Sequence, residues 1–263
     1  MNVVICAIAK NENKYINDWI NWHLNKGFHH IYLFDNNDSS SEYVGNFIEN
    51  IDKVTIYPKN DVRMDNLQSK CYNEFYRQCK NSFDWCLFCD IDEYIVGTDD
   101  INQFLDSALF DEFCQIRVSW KTFSDNDLIE RDESIPVYYA FTELSSNEKL
   151  SNQSKSFVRG GLSNIWVSVH RAVSNNNRPL QLTQCTPSGI ECSGNECINN
   201  LSNSEPIYLN HYRTKSLKEF INQKLSRGDA CLKDRKIDFD YYWISNDRTE
   251  EKEKFINNFL NNK

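Results

Sequence analysis

Trp85-Cys86-Leu87-Phe88-Cys89 is an unbroken apolar run that stops in Asp90-Ile91-Asp92-Glu93. Its length and composition suit a strand buried on both faces. Ending such a strand in three carboxylates constrains the fold around it, because a desolvated carboxylate is costly unless a cation meets it. Side chains two apart on a strand share a face, so Asp90 and Asp92 can face one ion while Ile91 turns back into the core. Oxygen ligands of this kind suit Mg2+ or Mn2+, which keep several waters and bind through one or two carboxylates plus a substrate phosphate. Asp125-Asn126-Asp127 and Asp238-Phe239-Asp240 repeat the spacing. Only the first instance follows a buried-looking strand, and open α/β sheets bind ligands beyond the carboxyl ends of their strands.

The N-terminal half alternates strand and helix. Residues 3–8 form a short continuous apolar run, followed by the polar turn Lys10-Asn11-Glu12-Asn13. Tyr15, Ile16, Trp19, Ile20 and Leu24 then recur at helical spacing, with Gly27 as a stop signal. A second strand over 30–34 runs into Asp35-Asn36-Asn37-Asp38, and a helix over about 41–50, a strand over 54–57 and a helix over 66–80 precede the strand at 85–89. This order predicts an α/β fold: a mainly parallel sheet flanked by helices on both faces. Further strands are expected at 115–120, 155–159 and 165–170, and helices at 215–230 and 249–262. The last helix is amphipathic, with Phe255, Ile256, Phe259 and Leu260 on one face; its mixed charge favours packing over membrane contact. The polar stretch 174–204 holds Cys185, Cys192 and Cys197 at spacings too loose for a zinc signature and reads as a surface insertion. The expected division is a domain over 1–232 and a helical tail over 233–263.

Among 263 residues, ten cysteines are scattered through core-like positions and no run is long and apolar enough for a membrane span. The start of the chain lacks the basic segment of a signal peptide. Reduced, mostly buried thiols in a cytoplasmic protein are the expectation, with peripheral contact at the inner face of a membrane as an added possibility. A net charge of -9 argues against a nucleic-acid-binding face. It permits an anionic small substrate, since a metal and a few cations can invert the field inside one cleft.

Several motifs then occur in a recognisable order: Ala7-Ile8-Ala9-Lys10-Asn11-Glu12, Asp35-Asn36-Asn37-Asp38-Ser39, Gln68-Ser69-Lys70-Cys71-Tyr72-Asn73 and the run from Trp85 through Asp90-Ile91-Asp92-Glu93-Tyr94. Together with Trp120 to Asp127 and Asn210-His211-Tyr212-Arg213-Thr214-Lys215-Ser216, they resemble the family 2-like glycosyltransferases, especially the branch related to family 92. The likeness covers residues 1–232. It implies a GT-A fold, a nucleotide-sugar donor with UDP-sugars favoured, Mn2+ or Mg2+, an inverting reaction, and a glycan or lipid-linked glycan acceptor such as a lipopolysaccharide or capsule precursor.

Candidate site residues follow. Asp35 can accept from a pyrimidine imide or ribose hydroxyl and Asn36 can both donate and accept, although such residues also make turns unaided. Lys10 and Glu12 lie on the same rim, with helix capping the alternative for Glu12. Gln68 joins the nucleotide site through the family likeness. Asp92 leads the metal ligands and Asp90 is shared between ribose and metal; His211 completes the set by analogy, with His170 its rival. Lys215, Lys224 or Arg227 can neutralise the departing diphosphate. Asp125 is the first choice of general base, with Asp127 and Glu93 as alternatives. A metal-dependent nucleotidyltransferase or phosphohydrolase, or a non-catalytic sugar-nucleotide-binding module, are the competing functions.

Overall fold

The computed structural model describes residues 1–39, 42–60, 62–151, 153–175, 182–193, 205–228, 234 and 236–262. Strands β1 (Val3–Ala9), β2 (His30–Asp35), β3 (Val54–Pro58) and β4 (Trp85–Phe88) run parallel in the spatial order β3-β2-β1-β4. Helix α1 (Ile16–Asn25) connects β1 to β2, and α2 (Leu67–Cys79) lies between β3 and β4. The unbroken apolar sequence of β1 is explained by its two neighbours in depth. Val3, Ile5 and Ala7 pack in one core with Ile16, Trp19 and Ile20 of α1, whereas Val4 and Cys6 pack in a second core with Cys71, Tyr72 and Phe75 of α2. A sheet buried on both faces gains about 1.5–3 kcal/mol for each large apolar side chain fully removed from water.

Beyond β4 the sheet becomes mixed. β5 (Glu93–Val96) leads to the short helix α3 (Ile101–Leu105), whose Asp100 cap accepts from the Asn102 and Gln103 amides. β6 (Gln115–Thr122) follows, then α4 (Val137–Ala140) and β7 (Ser154–Arg159), which lies antiparallel between β4 and β6. β8 (Ile165–Val167) and β9 (Ala172–Ser174) form a separate hairpin. β10 (Gln184–Cys185) pairs parallel with β6 and antiparallel with β11 (Glu191–Cys192). β12 (Tyr208–His211) pairs parallel with the far end of β6 and antiparallel with β5.

The fold is therefore the α/β arrangement expected, with local differences. In place of a helix over 41–50, the described residues form 3-10 turns at Val44–Asn46 and Ile51–Lys53. Gly45 and Asn46 are poor helix formers, and the Asp35 carboxylate draws the Val44 amide toward β2 instead. The stretch expected as a surface insertion adds β10 and β11 to the sheet; Cys197 lies outside the described residues. Cys6, Cys71, Cys79, Cys86, Cys89, Cys114 and Cys185 are free thiols, and Cys192 is disulfide-bonded.

The C-terminal third is tied down by buried charge. α5 (Leu217–Phe220) begins in a capping box between Ser216 and Glu219 and continues as a π-type turn over Ile221–Leu225. The Glu219 carboxylate also accepts from Tyr15 Oη at 2.8 Å and Arg131 Nε at 3.0 Å, which staples α5 to the start of α1. α6 (Phe239–Trp243) and α7 (Glu250–Asn261) pack on α5 through Tyr242 and Ile256. From α7, Lys252 reaches the buried Asp125 at 2.8 Å.

Burial works to raise the Glu219 carboxyl, but the hydrogen bonds from Arg131 and Ser216 and the Arg131 charge outweigh it and bring its pKa from 4.5 down to about 2. A depressed carboxylate contributes stability above its ordinary pKa and loses it as pH falls through the folded value. Wild type is expected to exceed Glu219→Gln by ~3 kcal/mol at neutral pH from this linkage. The difference should shrink between about pH 4.5 and pH 2. Urea unfolding across that window measures it.

Candidate functional site

β1, β2 and β4 end at the same edge of the sheet, and the strand order reverses at β1, with β2 on one side and β4 on the other. Open α/β sheets take ligands in the crevice outside such a switch point. Here the crevice is a cavity of about 570 Å³. Lys10 and Glu12 line it from beyond β1, Asn36 from beyond β2, and Asp90 and Asp92 from beyond β4. Opposite stand Trp120 of β6, Lys155 of β7, His211 of β12 and Tyr241 of α6.

Pairing between β5 and β12 sets the acidic corner. Its antiparallel register places His211 opposite Glu93, so both side chains share one face, and the Tyr212 amide donates to the Asp92 carbonyl at 2.9 Å. His211 Nε2 lies 3.6 Å from Asp92 Oδ1, while Lys224 Nζ sits 2.7 Å from Oδ2. Asp90 faces other partners: Gln68 Nε2 donates to its Oδ1, and Lys155 Nζ lies 2.9 Å from its Oδ2. Glu93 Oε2 accepts the Asp90 amide at 2.9 Å. Glu93 Oε1 and His211 Nδ1 are buried with no hydrogen-bond partner among the described residues.

These contacts set the charge states. Burial tends to raise the Asp92 carboxyl, but Lys224 and then His211 hold it well below the usual range. The same contest at Asp90 is decided downward by Lys155. Glu93 goes the other way, its burial outweighing the nearby Lys155 ammonium. Burial lowers His211 despite Asp92, which keeps the imidazole neutral and able to donate a lone pair to a metal.

Ligand atoms of Asp92, Glu93 and His211 all lie within 4.8 Å of one another. This differs from the expected set of Asp90, Asp92 and His211. Asp90 drops out because both of its oxygens are occupied by Gln68 and Lys155, and Glu93 enters through the β5–β12 register. The group fits a hard divalent cation: a carboxylate oxygen and an imidazole nitrogen face each other across a gap longer than a hydrogen bond, beside Glu93 Oε1, which accepts no hydrogen bond among the described residues and has Lys155 Nζ 3.7 Å away.

Other expected residues separate into those on the cavity wall and those behind it. Lys10 is on the wall, 2.5 Å from Asp38 Oδ1. Asn36 is on the wall but donates to the Lys59 and Val62 carbonyls at 2.7 and 3.0 Å. Gln68 reaches it from α2. Glu12 is on the wall and makes no capping hydrogen bond; its Oε1 lies 2.7 Å from Arg227 and its Oε2 3.6 Å from Lys215. Lys215 itself stands behind Glu12 over the Tyr15 ring, at 4.3 Å, with backbone φ +57 and no hydrogen-bond partner on Nζ among the described residues.

Asp35 and Asp125 are placed differently from expectation. Asp35 is fully buried and accepts from the Asn37 and Val44 amides, both at 3.0 Å, so its carboxylate holds the loop after β2 and stays off the cavity wall. Asp125 is also off the wall. Tyr242 Oη donates to Oδ2 and Lys252 Nζ bonds both oxygens, leaving no free acceptor for a substrate proton. Sequence reasoning had not singled out Lys155, Trp120 or Tyr241 as site residues. A charged residue heading an otherwise core-facing strand was the available signal for Lys155.

No protein-family model and no curated protein matches this chain. Its structure is similar to S. aureus TarS, with TM-score 0.35 and 15% identity over 60% of this chain and 28% of that one. It is also similar to the apo bifunctional glycosyltransferase WbbM, with TM-score 0.31 and 15% identity over 45% and 23% of the two chains. A Bacillus anthracis protein described as a glucose-1-phosphate thymidylyltransferase, solved with sucrose, gives TM-score 0.34 and 9% identity over 48% of this chain and 58% of that one. The chain thus spans 28% of the length of TarS. These likenesses are distant, and the functional reading rests on the site itself.

Removing one partner of a buried ion pair is costly because the other charge is stranded. Lys224→Met is expected to lower stability by about 3–5 kcal/mol at neutral pH. Thermal unfolding should show a larger upward shift of Tm with Mn2+ in this variant than in wild type, as the cation takes over neutralisation of Asp92.

Proposed function

We propose that the chain is a glycosyltransferase that takes a nucleoside-diphosphate sugar as donor, with UDP-sugars the first candidates, and passes the sugar to a hydroxyl of a glycan acceptor. The observation that carries this reading is the combination, in one crevice at the strand-order switch, of Asp92 and His211, with Glu93 buried behind them, and the cations Lys10, Lys224 and Arg227. Acidic groups alone would repel a diphosphate, and cations alone would not hold a metal. Their proximity in a chain of net charge -9 localises positive potential where a diphosphate would lie.

Asp92 and His211, with Glu93 beside them, would hold Mn2+ or Mg2+. When bound, such a cation serves as Lewis acid for the departing diphosphate. Lys224 and Arg227 add positive charge from the chain itself, and the Arg227 guanidinium presents a planar fork suited to phosphate oxygens. Asn36 and Gln68 offer amide groups on the nucleotide side, and Glu12 orients Arg227 through their 2.7 Å ion pair. An acceptor from lipopolysaccharide or capsule assembly, and inversion at the anomeric carbon, are supported by the family likeness of the sequence motifs. Among the described residues no helix is long and apolar enough to cross a membrane.

Thermal-shift titration with UDP-, GDP-, CMP- and dTDP-sugars, with and without Mn2+, tests the reading. A ligand present at about 100 times its Kd stabilises by about 2.7 kcal/mol, which is a measurable rise in Tm. One nucleotide sugar is expected to produce that rise only with Mn2+, and Asp92→Asn is expected to abolish it. Absence of any nucleotide-dependent shift in a folded sample, or a full shift in Asp92→Asn, would count against the donor site.

A further inference from the structure

With Asp125 fully engaged elsewhere, the crevice still needs a group to take the acceptor's proton. The hairpin β8–β9 presents one. Val167 and Ala172 form its last cross-strand pair. From one flank, Asn73 of α2 bonds both peptide groups of Val167, donating to the carbonyl at 2.8 Å and accepting the amide at 2.9 Å. From the other, Gln115 of β6 does the same to Ala172, with both bonds at 3.1 Å. Two buried amide side chains thus act as extra rungs of the ladder and fix the hairpin between α2 and the main sheet.

The tip is held just as firmly. Lys155 Nζ, which already pairs with Asp90, donates to the Val169 carbonyl at 3.0 Å, and Ser156 Oγ donates to the His170 carbonyl at 2.9 Å. His170 Nδ1 lies 3.1 Å from the Ser154 carbonyl oxygen. A carbonyl only accepts, so Nδ1 carries the hydrogen and Nε2 holds the lone pair. Nε2 has no hydrogen-bond partner among the described residues, and the ring lines the cavity. The Trp120 indole lies against both His170 and His211, at centroid distances of 5.7 and 4.3 Å, which brings the hairpin tip next to the acidic corner. Burial first, and then the Lys155 ammonium with a smaller push from Arg117, bring His170 down to about 4 against the opposing pull of Ser154 and Asp90. The ring is therefore neutral at neutral pH.

We infer that His170 is the general base of the reaction, an assignment that rests on the glycosyltransferase reading. As the acceptor oxygen forms its bond to the anomeric carbon, its proton passes to His170 Nε2. The bond between that carbon and the diphosphate oxygen breaks with its electron pair leaving on the diphosphate. Clamping by Asn73, Gln115, Lys155 and Ser156 holds the base in place before substrate arrives, which is the preorganisation such a step requires.

The test measures donor dissociation constants and donor hydrolysis in Mn2+, with water in place of the acceptor, using UDP-glucose, UDP-N-acetylglucosamine and GDP-mannose. His170→Gln is expected to leave the dissociation constant within about twofold and to lower kcat by about 100-fold or more, the range of a lost general base. His170→Ala should regain part of that rate with added imidazole. As an independent readout, diethyl pyrocarbonate should modify His170 in the wild-type chain, as mapped by mass spectrometry, and bound donor should slow the modification. A wild type that binds none of the three sugars, and no CMP- or dTDP-sugar in the thermal-shift titration, overturns the donor reading and this role together. A wild type that binds donor overturns only the role of His170 if His170→Gln hydrolyses at the wild-type rate. Where wild type binds but does not hydrolyse, the labelling decides: protection by donor supports the assignment, and an unreactive or unprotected His170 ends it.

Discussion

Asp90, Asp92 and Glu93 follow an apolar strand directly, Asp92 and Glu93 buried and Asp90 partly exposed at the crevice, and carboxyl groups so placed demand positive charge from elsewhere. Lys155 arrives from β7, and Lys224 from the π-type turn after α5, more than a hundred residues later in the chain. Each cation brings its own element with it. β7 must lie antiparallel beside β4 for Lys155 to reach Asp90, and α5 must fold back over the crevice for Lys224 to reach Asp92. The mixed half of the sheet and the C-terminal helices are thus arranged around the charge left at the end of β4. Breaking either pair would strand a charge rather than merely lose a contact.

The parts of the fold set by local sequence were legible in advance. The apolar runs of β1, β2 and β4 and the helical spacing of α1 and α2 each reflect burial on a defined face, which a sequence window records. The placement of Asp92 on the crevice could be read as well, because a carboxylate at the end of a buried strand carries its own physical argument. What a window does not record is pairing between distant segments. Glu93 joins the corner with Asp92 and His211 only because β12 aligns His211 opposite it. Asp125 looked free in a polar loop, but Lys252 and Tyr242 occupy it from more than a hundred residues away. Asp35 had two readings from the start, loop holder or nucleotide contact, and the two amides on its carboxylate decide for the loop.

Amide side chains do much of the positioning. Gln68 fixes Asp90, Asn73 and Gln115 clamp the hairpin, and Gln223 donates to the Asn11 carbonyl at 2.6 Å behind Glu12. Such groups carry no charge to be compensated, yet each can donate and accept at once, so they can substitute for a missing backbone rung in places where the chain changes direction. The abundance of asparagine and glutamine thus has an architectural use as well as a surface one.

Lys215 carries one more consequence. Where the described residues adopt left-handed backbone outside glycine, most are asparagine, at positions 11, 66, 126 and 164, with aspartate at 127. At 215 the chain uses lysine, whose Cβ makes that conformation cost roughly 1–2 kcal/mol. A turn needed only for its shape would have been served better by the asparagine or aspartate used at the other five described positions. The strain is tolerated where the ammonium is wanted over Tyr15, behind the carboxylate that orients Arg227. In this molecule the torsion angles alone flag a position where side-chain chemistry has taken precedence over backbone ease.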